Sequence, residues 1–119
     1  MIDDLWRRYA RVWSLEGAER DAELRACLDD GVAYADPNIS LAGIAPFAAY
    51  MDGFRASFPG HAFRIHAVAA HHGGSLARWD LVDSHGALVF PGLSFGLFTA
   101  DGRFQKLHGF FGGLEALLQ

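Results

Sequence analysis

Apolar positions in the first half of the chain recur at spacings of three and four residues, which predicts helices. The first such stretch covers residues 3–15, the second residues 20–28 and the third residues 45–57. In the first stretch these positions form one continuous helix face: Leu5, Trp6, Tyr9, Val12 and Trp13. The pattern therefore predicts three helices, the last two separated by a stretch of a different kind.

That stretch and the second half of the chain alternate with the period of two that is typical of β-strands. "VAYAD" places Val32, Tyr34 and Asp36 on one face. From residue 62 onward, turn signals at "GG", "SHG" and "ADG" separate four alternating runs, which predicts consecutive antiparallel hairpins. We therefore predict an α+β fold in which three N-terminal helices pack on a curved, mainly antiparallel sheet and enclose a cone-shaped space. Residues 113–119 are compatible with a short helical tail.

Composition and charge limit the function classes. The chain has 119 residues, which fits one domain over 1–119, and its formal net charge of −4 argues against non-specific nucleic-acid binding. No apolar run approaches the roughly 20 residues that span a bilayer. The acidic N-terminus is unlike a signal peptide, so we expect a soluble, cytoplasmic protein. One cysteine, Cys27, cannot form an internal disulfide, and no residues have metal-site spacing, so we expect no metal and no cofactor.

Several short motifs in these elements resemble the nuclear transport factor 2-like superfamily. They are "RRYARVW" in the first helix, "VAYADP" on the first strand, an aromatic-rich third helix ending in "FPG", then "ARWDL" and the closing "FTADGRFQKLHGFFG". The resemblance covers nearly the whole chain and is closest to the ketosteroid isomerases and the SnoaL-like polyketide cyclases. It implies a cone-shaped fold, and that fold carries isomerases, cyclases, dehydratases, hydrolases and binding proteins.

The resemblance to ketosteroid isomerases implies roles for three residues. Asp36 matches the aspartate of a strand-end "DP" that serves as the general base in that family. Tyr9 matches a first-helix tyrosine that donates a hydrogen bond to the developing oxyanion. Ser94 stands where the family has an acidic residue as a second oxyanion donor. Serine can donate a hydrogen bond, but it cannot act as a carboxylic acid.

A resemblance to the limonene-epoxide hydrolase-like branch implies a different set. Its Arg-x-Asp on a central strand is matched by Arg78 and Asp80, and its Tyr-x-Asn on the first strand by Tyr34 and Asp36. The aspartate that this branch carries on its last strand is replaced here by Gly109. The hydrolase hypothesis therefore lacks one of its carboxylates.

If the strand register matches that of these families, the candidate residues face one cavity. We expect Asp36, Tyr9, Arg78 and Asp80 to be catalytic. The residues expected to contact substrate, most of them apolar, are Trp13, Tyr34, Phe54, Phe58, Val82, Ser94, Phe98, Leu107 and Phe111. An apolar pocket with a few convergent polar groups is the usual form of a small-molecule site.

Each catalytic assignment has a structural alternative. Asp36 would cap the turn at Pro37 through local hydrogen bonds. Arg78 and Asp80 would form an ion pair on one sheet face, and buried pairs of this kind are weak evidence for stability. Tyr9 would be a core residue whose hydroxyl finds a partner.

The opposite face of the predicted sheet is also apolar, because Leu93, Phe95 and Leu97 alternate with Gly92, Ser94 and Gly96. Since the helices cover only one face, we expect a homodimer packed sheet to sheet. The predicted function is binding of a small apolar molecule, with proton transfer next to a carbonyl as an isomerase or cyclase. The alternatives are an epoxide hydrolase-like activity that uses Arg78 and Asp80, and a non-catalytic binding or dimerisation module.

Overall fold

The structure, a computed structural model, describes residues 2–114 and confirms the three predicted helices. They are α1 (Ile2–Val12), α2 (Gly17–Cys27) and α3 (Ile44–Ser57). α1 ends before the apolar pattern does, because the chain tightens into a turn in which the Leu15 N–H donates to the Val12 carbonyl at 3.1 Å. Within residues 2–114, none of the helices is long and apolar enough to cross a membrane. Most of the predicted tail helix, residues 113–119, lies outside the described residues.

Within the described part of the chain, six strands form one curved sheet on which the helices pack. They are β1 (Leu28–Asp36), β2 (Ile39–Ala42), β3 (Ala62–His71), β4 (Gly74–Val82), β5 (Leu88–Phe98) and β6 (Phe104–Phe111). Their order across the sheet is β2-β1-β6-β5-β4-β3. β1 runs parallel to β6 and every other neighbouring pair is antiparallel, which confirms the predicted α+β fold and its hairpins.

The predicted order of elements omits one strand. β2 is only four residues long and pairs with β1 across the turn at Pro37 and Asn38. Its Cα register, Asp36 opposite Ile39, makes the "DPNI" turn a tight hairpin connection. The hairpin fixes the end of β1, and it therefore fixes the position of Asp36.

The core lies between the helices and the inward face of the sheet, where the Trp6 side chain of α1 reaches β4 and β5. The Trp6 indole N–H donates to the Ser75 hydroxyl at 3.0 Å, and that hydroxyl donates to the Gly96 carbonyl at 2.8 Å. A Cβ at Gly96 would lie 2.7 Å from the Phe104 ring and 2.9 Å from the Trp6 ring. Gly96 is therefore the position that lets two large rings rest on the sheet.

Candidate functional site

A cavity of about 510 Å³ opens between α1, α3 and the inward face of the sheet. This volume is in the range of small-molecule sites. Its walls are mostly aromatic rings from both layers, and the polar side chains among them come from Asp36, Asn38, Ser57 and Ser94, together with three tyrosines. Nine of the residues predicted to form the site line this cavity: Tyr9, Trp13, Tyr34, Asp36, Phe54, Phe58, Ser94, Leu107 and Phe111.

Asp36 lies at the cavity wall and also caps the turn, so the two interpretations of this residue describe one arrangement. Its Oδ1 accepts the Asn38 backbone N–H at 2.8 Å, which is the local bond expected of a turn aspartate. Its Oδ2 accepts the hydroxyls of Tyr34 and Tyr50, each at 2.7 Å. The turn bond fixes the carboxylate at the end of β1, and the two tyrosines orient the other oxygen.

The two tyrosines act as donors because their hydroxyls remain protonated at neutral pH. Burial, together with a smaller effect of its hydrogen bond to the Asp36 carboxylate, raises the pKa of Tyr50 to about 12. Burial also raises the pKa of Tyr34 far above its usual range, with a further contribution from its neighbours Tyr9 and Asp36. Tyr34 comes from β1 and Tyr50 from α3, so Asp36 joins the sheet to the helical layer.

Tyr9 and Trp13 line the same cavity from the α1 side. Burial raises the pKa of the Tyr9 hydroxyl well above its usual range, and the Trp13 indole lowers it by a smaller amount. The Asp36 carboxylate is close enough to raise it again by charge repulsion. Tyr9 is therefore a neutral phenol whose hydroxyl can only donate or accept a hydrogen bond at physiological pH.

Ser94 is oriented by a tryptophan that the motif analysis did not assign to the site. The Trp79 indole N–H donates to the Ser94 Oγ at 2.9 Å. Because this bond uses an acceptor position of Ser94, the serine keeps its own O–H for another partner. Trp79 can lie flat across β5 because Gly92 faces it: a Cβ there would lie 2.0 Å from the Trp79 ring.

Gly109 separates Ser94 from Asp36. A Cβ at this position would meet the Ser94 Oγ at 3.5 Å and the Asp36 Cβ at 3.7 Å, both ordinary contact distances. The Ser94 hydroxyl and the base of the Asp36 side chain therefore flank one open point of the cavity wall. The hydrolase-like branch would place an aspartate there, and the glycine leaves that space open.

The expectation that Arg78 and Asp80 point into the cone is wrong. On β4 the inward positions are Ser75, Ala77, Trp79 and Leu81, so the Arg-x-Asp pair lies on the outer face. Arg78 is exposed, and Asp80 is bound by His66, which lies at an irregularity of β3. A one-residue shift in strand register turns every side chain of the strand to the opposite face. In β4 the apolar Trp79 and Leu81 are on the buried face.

Val82 and Phe98 also lie outside the cavity. Val82 is buried but follows an irregularity in the pairing of β4 with β5. Phe98 follows a similar irregularity between β5 and β6, and it contributes with Ile2 and Leu5 to a separate depression at the other end of the molecule. Both irregularities break the alternation from which the prediction was made.

Tyr50 is the most important residue that the sequence analysis left out of the site. It belonged to the apolar stripe of the third helix, and nothing in that pattern showed its hydroxyl meeting Asp36. A tyrosine on the cavity side of a helix signals a polar contact, since a buried hydroxyl needs a partner. Gly92 is a second signal. It lies opposite Trp79 on the paired strand, and the missing side chain makes room for the indole ring at the cavity wall.

Within residues 2–114, no three side chains of histidine, cysteine, aspartate or glutamate are close enough together to hold a metal ion. Among the described residues that line the cavity, Asp36 alone carries a formal charge.

A family model described as a SnoaL-like domain matches residues 6–107, which is most of the chain. The chain belongs to the SnoaL-like family. This family is a branch of the nuclear transport factor 2-like superfamily, as the motifs of the helices and strands indicated. No protein with a curated function matches this SnoaL-like chain significantly.

Solved structures of other SnoaL-like proteins share the fold. One, assigned provisionally as an isomerase of the SnoaL-like family from Agrobacterium tumefaciens str. C58, is 24% identical with a TM-score of 0.84, covering 92% of this chain and 96% of that one. Another, assigned provisionally as a SnoaL-like polyketide cyclase from Jannaschia sp. CCS1, is 17% identical with a TM-score of 0.75, covering 98% and 88%. A third, from Sinorhizobium meliloti and assigned provisionally as a polyketide cyclase, is 12% identical with a TM-score of 0.72, covering 89% and 93%.

Proposed function

We propose that the cavity binds a small apolar carbonyl compound and that the protein moves a proton next to its carbonyl group, as an isomerase or cyclase. The observation that carries this proposal is the placement of Asp36 and Ser94 on either side of Gly109 in an aromatic cavity. The provisional assignments of the related structures name the same two reaction types.

The chemistry divides between a base and two hydroxyl donors. The Asp36 carboxylate takes the proton from the carbon next to the carbonyl. The electron pair of that C–H bond forms the C=C bond of an enolate, and the π pair of the carbonyl moves onto its oxygen. The hydroxyls of Ser94 and Tyr9 donate to the resulting enolate oxygen. Return of the proton to a different carbon completes an isomerisation. Attack of the enolate carbon on a second carbonyl instead closes a ring, and the alkoxide formed from that carbonyl takes the proton back from Asp36.

Binding without turnover is the second candidate, and one observation favours it. Three donors already hold Asp36, namely the Asn38 backbone N–H and the hydroxyls of Tyr34 and Tyr50. These three hydrogen bonds also suit a carboxylate with a purely structural role. Such a carboxylate would hold the β1–β2 hairpin and α3 together without exchanging a proton. The hydrolase alternative has no comparable support, because Arg78 and Asp80 lie on the outer face.

Proton exchange into deuterated water tests the proposal without knowledge of the product. A panel of apolar ketones is incubated with the protein in D₂O, and loss of the α-hydrogens is followed by proton NMR. Asp36→Asn is expected to lower the exchange rate of an active ketone at least about 100-fold, the usual contribution of a general base. Ketone affinity is expected to persist, because the amide keeps the shape of the carboxylate.

Asp30→Asn is the matched control, because Asp30 is an exposed residue of the same strand and undergoes the same chemical change. It should leave the exchange rate unchanged. Ketones that bind the wild-type protein without exchanging would support binding without turnover. Equal exchange in wild type and Asp36→Asn would contradict the assignment of Asp36 as the base.

A further inference from the structure

We propose that the ligand of this cavity carries a positive charge, as a small apolar molecule with a protonated amine. This inference rests on the proposed function in one respect, because it takes the cavity as the ligand site. It then narrows the substrate class to carbonyl compounds that carry a basic nitrogen.

The formal charge of the described cavity wall is negative. Asp36 is the single formally charged residue among the described residues that line it, and no lysine, arginine or histidine is among them. A carboxylate or phosphate ligand would lose its hydration there without gaining a cationic partner, which is costly. An ammonium group would gain one, since the Asp36 carboxylate lies at the wall.

Three aromatic rings next to Asp36 form an arrangement suited to a cation. The Trp13 ring centre lies 6.0 Å from that of Tyr34 and 6.0 Å from that of Tyr50, and the two tyrosine rings are 5.8 Å apart. A group over the middle of this triangle is within the roughly 6 Å at which a ring attracts a cation. The hydroxyls of both tyrosines reach Asp36, so the triangle and the carboxylate are parts of one structure.

Asp36 also keeps acceptor capacity for a ligand. Its oxygens accept three hydrogen bonds from the protein, two at Oδ2 and one at Oδ1. A carboxylate offers about four acceptor positions, so one remains at Oδ1. A bound amine fills it with an N–H, and during turnover it takes the α-proton while the ammonium group stays over the aromatic rings. A cation held beside the enolate would also stabilise the negative charge that proton removal creates.

Three probes that differ only in their head group test the inference. They are 3-phenylpropan-1-amine, a cation at pH 7, the neutral 3-phenylpropan-1-ol and the anion 3-phenylpropanoate. Binding is measured by titration calorimetry at pH 7 and low salt. We expect the amine to bind about tenfold or more tightly than the alcohol, and the carboxylate to bind more weakly than the alcohol.

Variants then locate the preference. Asp36→Asn should bring the affinity of the amine to within about threefold of that of the alcohol, because only the rings remain to attract the cation. Asp30→Asn should keep the full preference, since it removes an equal charge outside the cavity.

Every outcome decides the inference. Equal or better binding of the alcohol or the carboxylate in the wild type overturns it. An amine preference that Asp36→Asn leaves intact also overturns it, because the amine then binds elsewhere. If no probe binds, this inference fails, and the proposed function is then decided separately by whether a ketone exchanges protons in D₂O. If the amine is preferred while no ketone exchanges protons in D₂O, the proposed chemistry fails and this inference stands.

Discussion

A glycine, Gly92, shapes the wall of the candidate site because it has no side chain. Gly92 lies opposite Trp79 on the paired strand, and a Cβ there would lie 2.0 Å from the indole ring. We therefore expect Gly92→Ala to push Trp79 away from β5 and to break its hydrogen bond to Ser94. Overpacking of this kind costs about 1–3 kcal/mol of unfolding free energy. Urea denaturation measures the loss, and tryptophan fluorescence reports the moved indole.

Gly31→Ala provides the comparison for this change. Gly31 also lies in a strand, without a positive φ, and its Cβ would meet only the Asp29 carboxylate at an ordinary 3.6 Å. It should change stability by less than about 0.5 kcal/mol, the range of surface substitutions. Equal stability losses in the two variants would show that the contact with Trp79 is not what makes Gly92 necessary.

At this same scale, sequence patterns predicted some site residues and missed others for physical reasons. Alternation on a regular strand correctly placed Tyr34 and Asp36 on the inward face. The facing of β4 was predicted wrongly because it was taken from the family resemblance, whereas the alternation of "ARWDLV" itself favours burial of Trp79 and Leu81. The bond from Tyr50 to Asp36 joins residues 14 apart in the chain, and no local pattern encodes it.

Among the elements, α3 contains a glycine in its helical interior that the fold does not require. Gly53 is exposed, and a Cβ built there meets nothing within 4 Å. Because alanine has a much higher helix propensity than glycine, Gly53→Ala should raise the unfolding free energy by about 0.5–1 kcal/mol. A higher midpoint in urea denaturation would confirm this. Since Gly53 also lines the cavity, a loss of stability would instead show that the added methyl group disturbs the neighbouring rings.

Elements with a strong period were predicted well and short or irregular ones were not. The three helices follow from apolar spacing, and their observed bounds differ from the predicted ones by three residues or fewer. β2 was missed because four residues are too few to show alternation. The pairing irregularities of β4 and β5 were also missed, since they depend on how neighbouring strands fit rather than on composition.

For the molecule as a whole, the outer face of the sheet has the character of an interface. Paired positions bring Leu76, Leu93, Phe95 and Phe110 together on that face, and Leu76 and Phe110 are 45% and 41% exposed. The three helices cover the other face of the sheet. An apolar sheet face of this kind usually marks a contact with another molecule, and we propose a second copy of this chain.

Charge insertion on this face tests the homodimer. Leu76→Glu and Phe110→Glu alter side chains that are already nearly half exposed in one copy, so each variant should fold with little loss of stability. In a sheet-to-sheet dimer each would bury a carboxylate without a partner, which strongly disfavours association. Sedimentation equilibrium should therefore give a dimer mass for the wild type and a monomer mass for both variants.

Ala56→Glu, on the exposed side of α3, is the control variant: it adds the same charge and should remain dimeric. A wild-type monomer at micromolar concentration, or dimers in all the variants, would contradict this interface and leave the apolar face without a role in self-association.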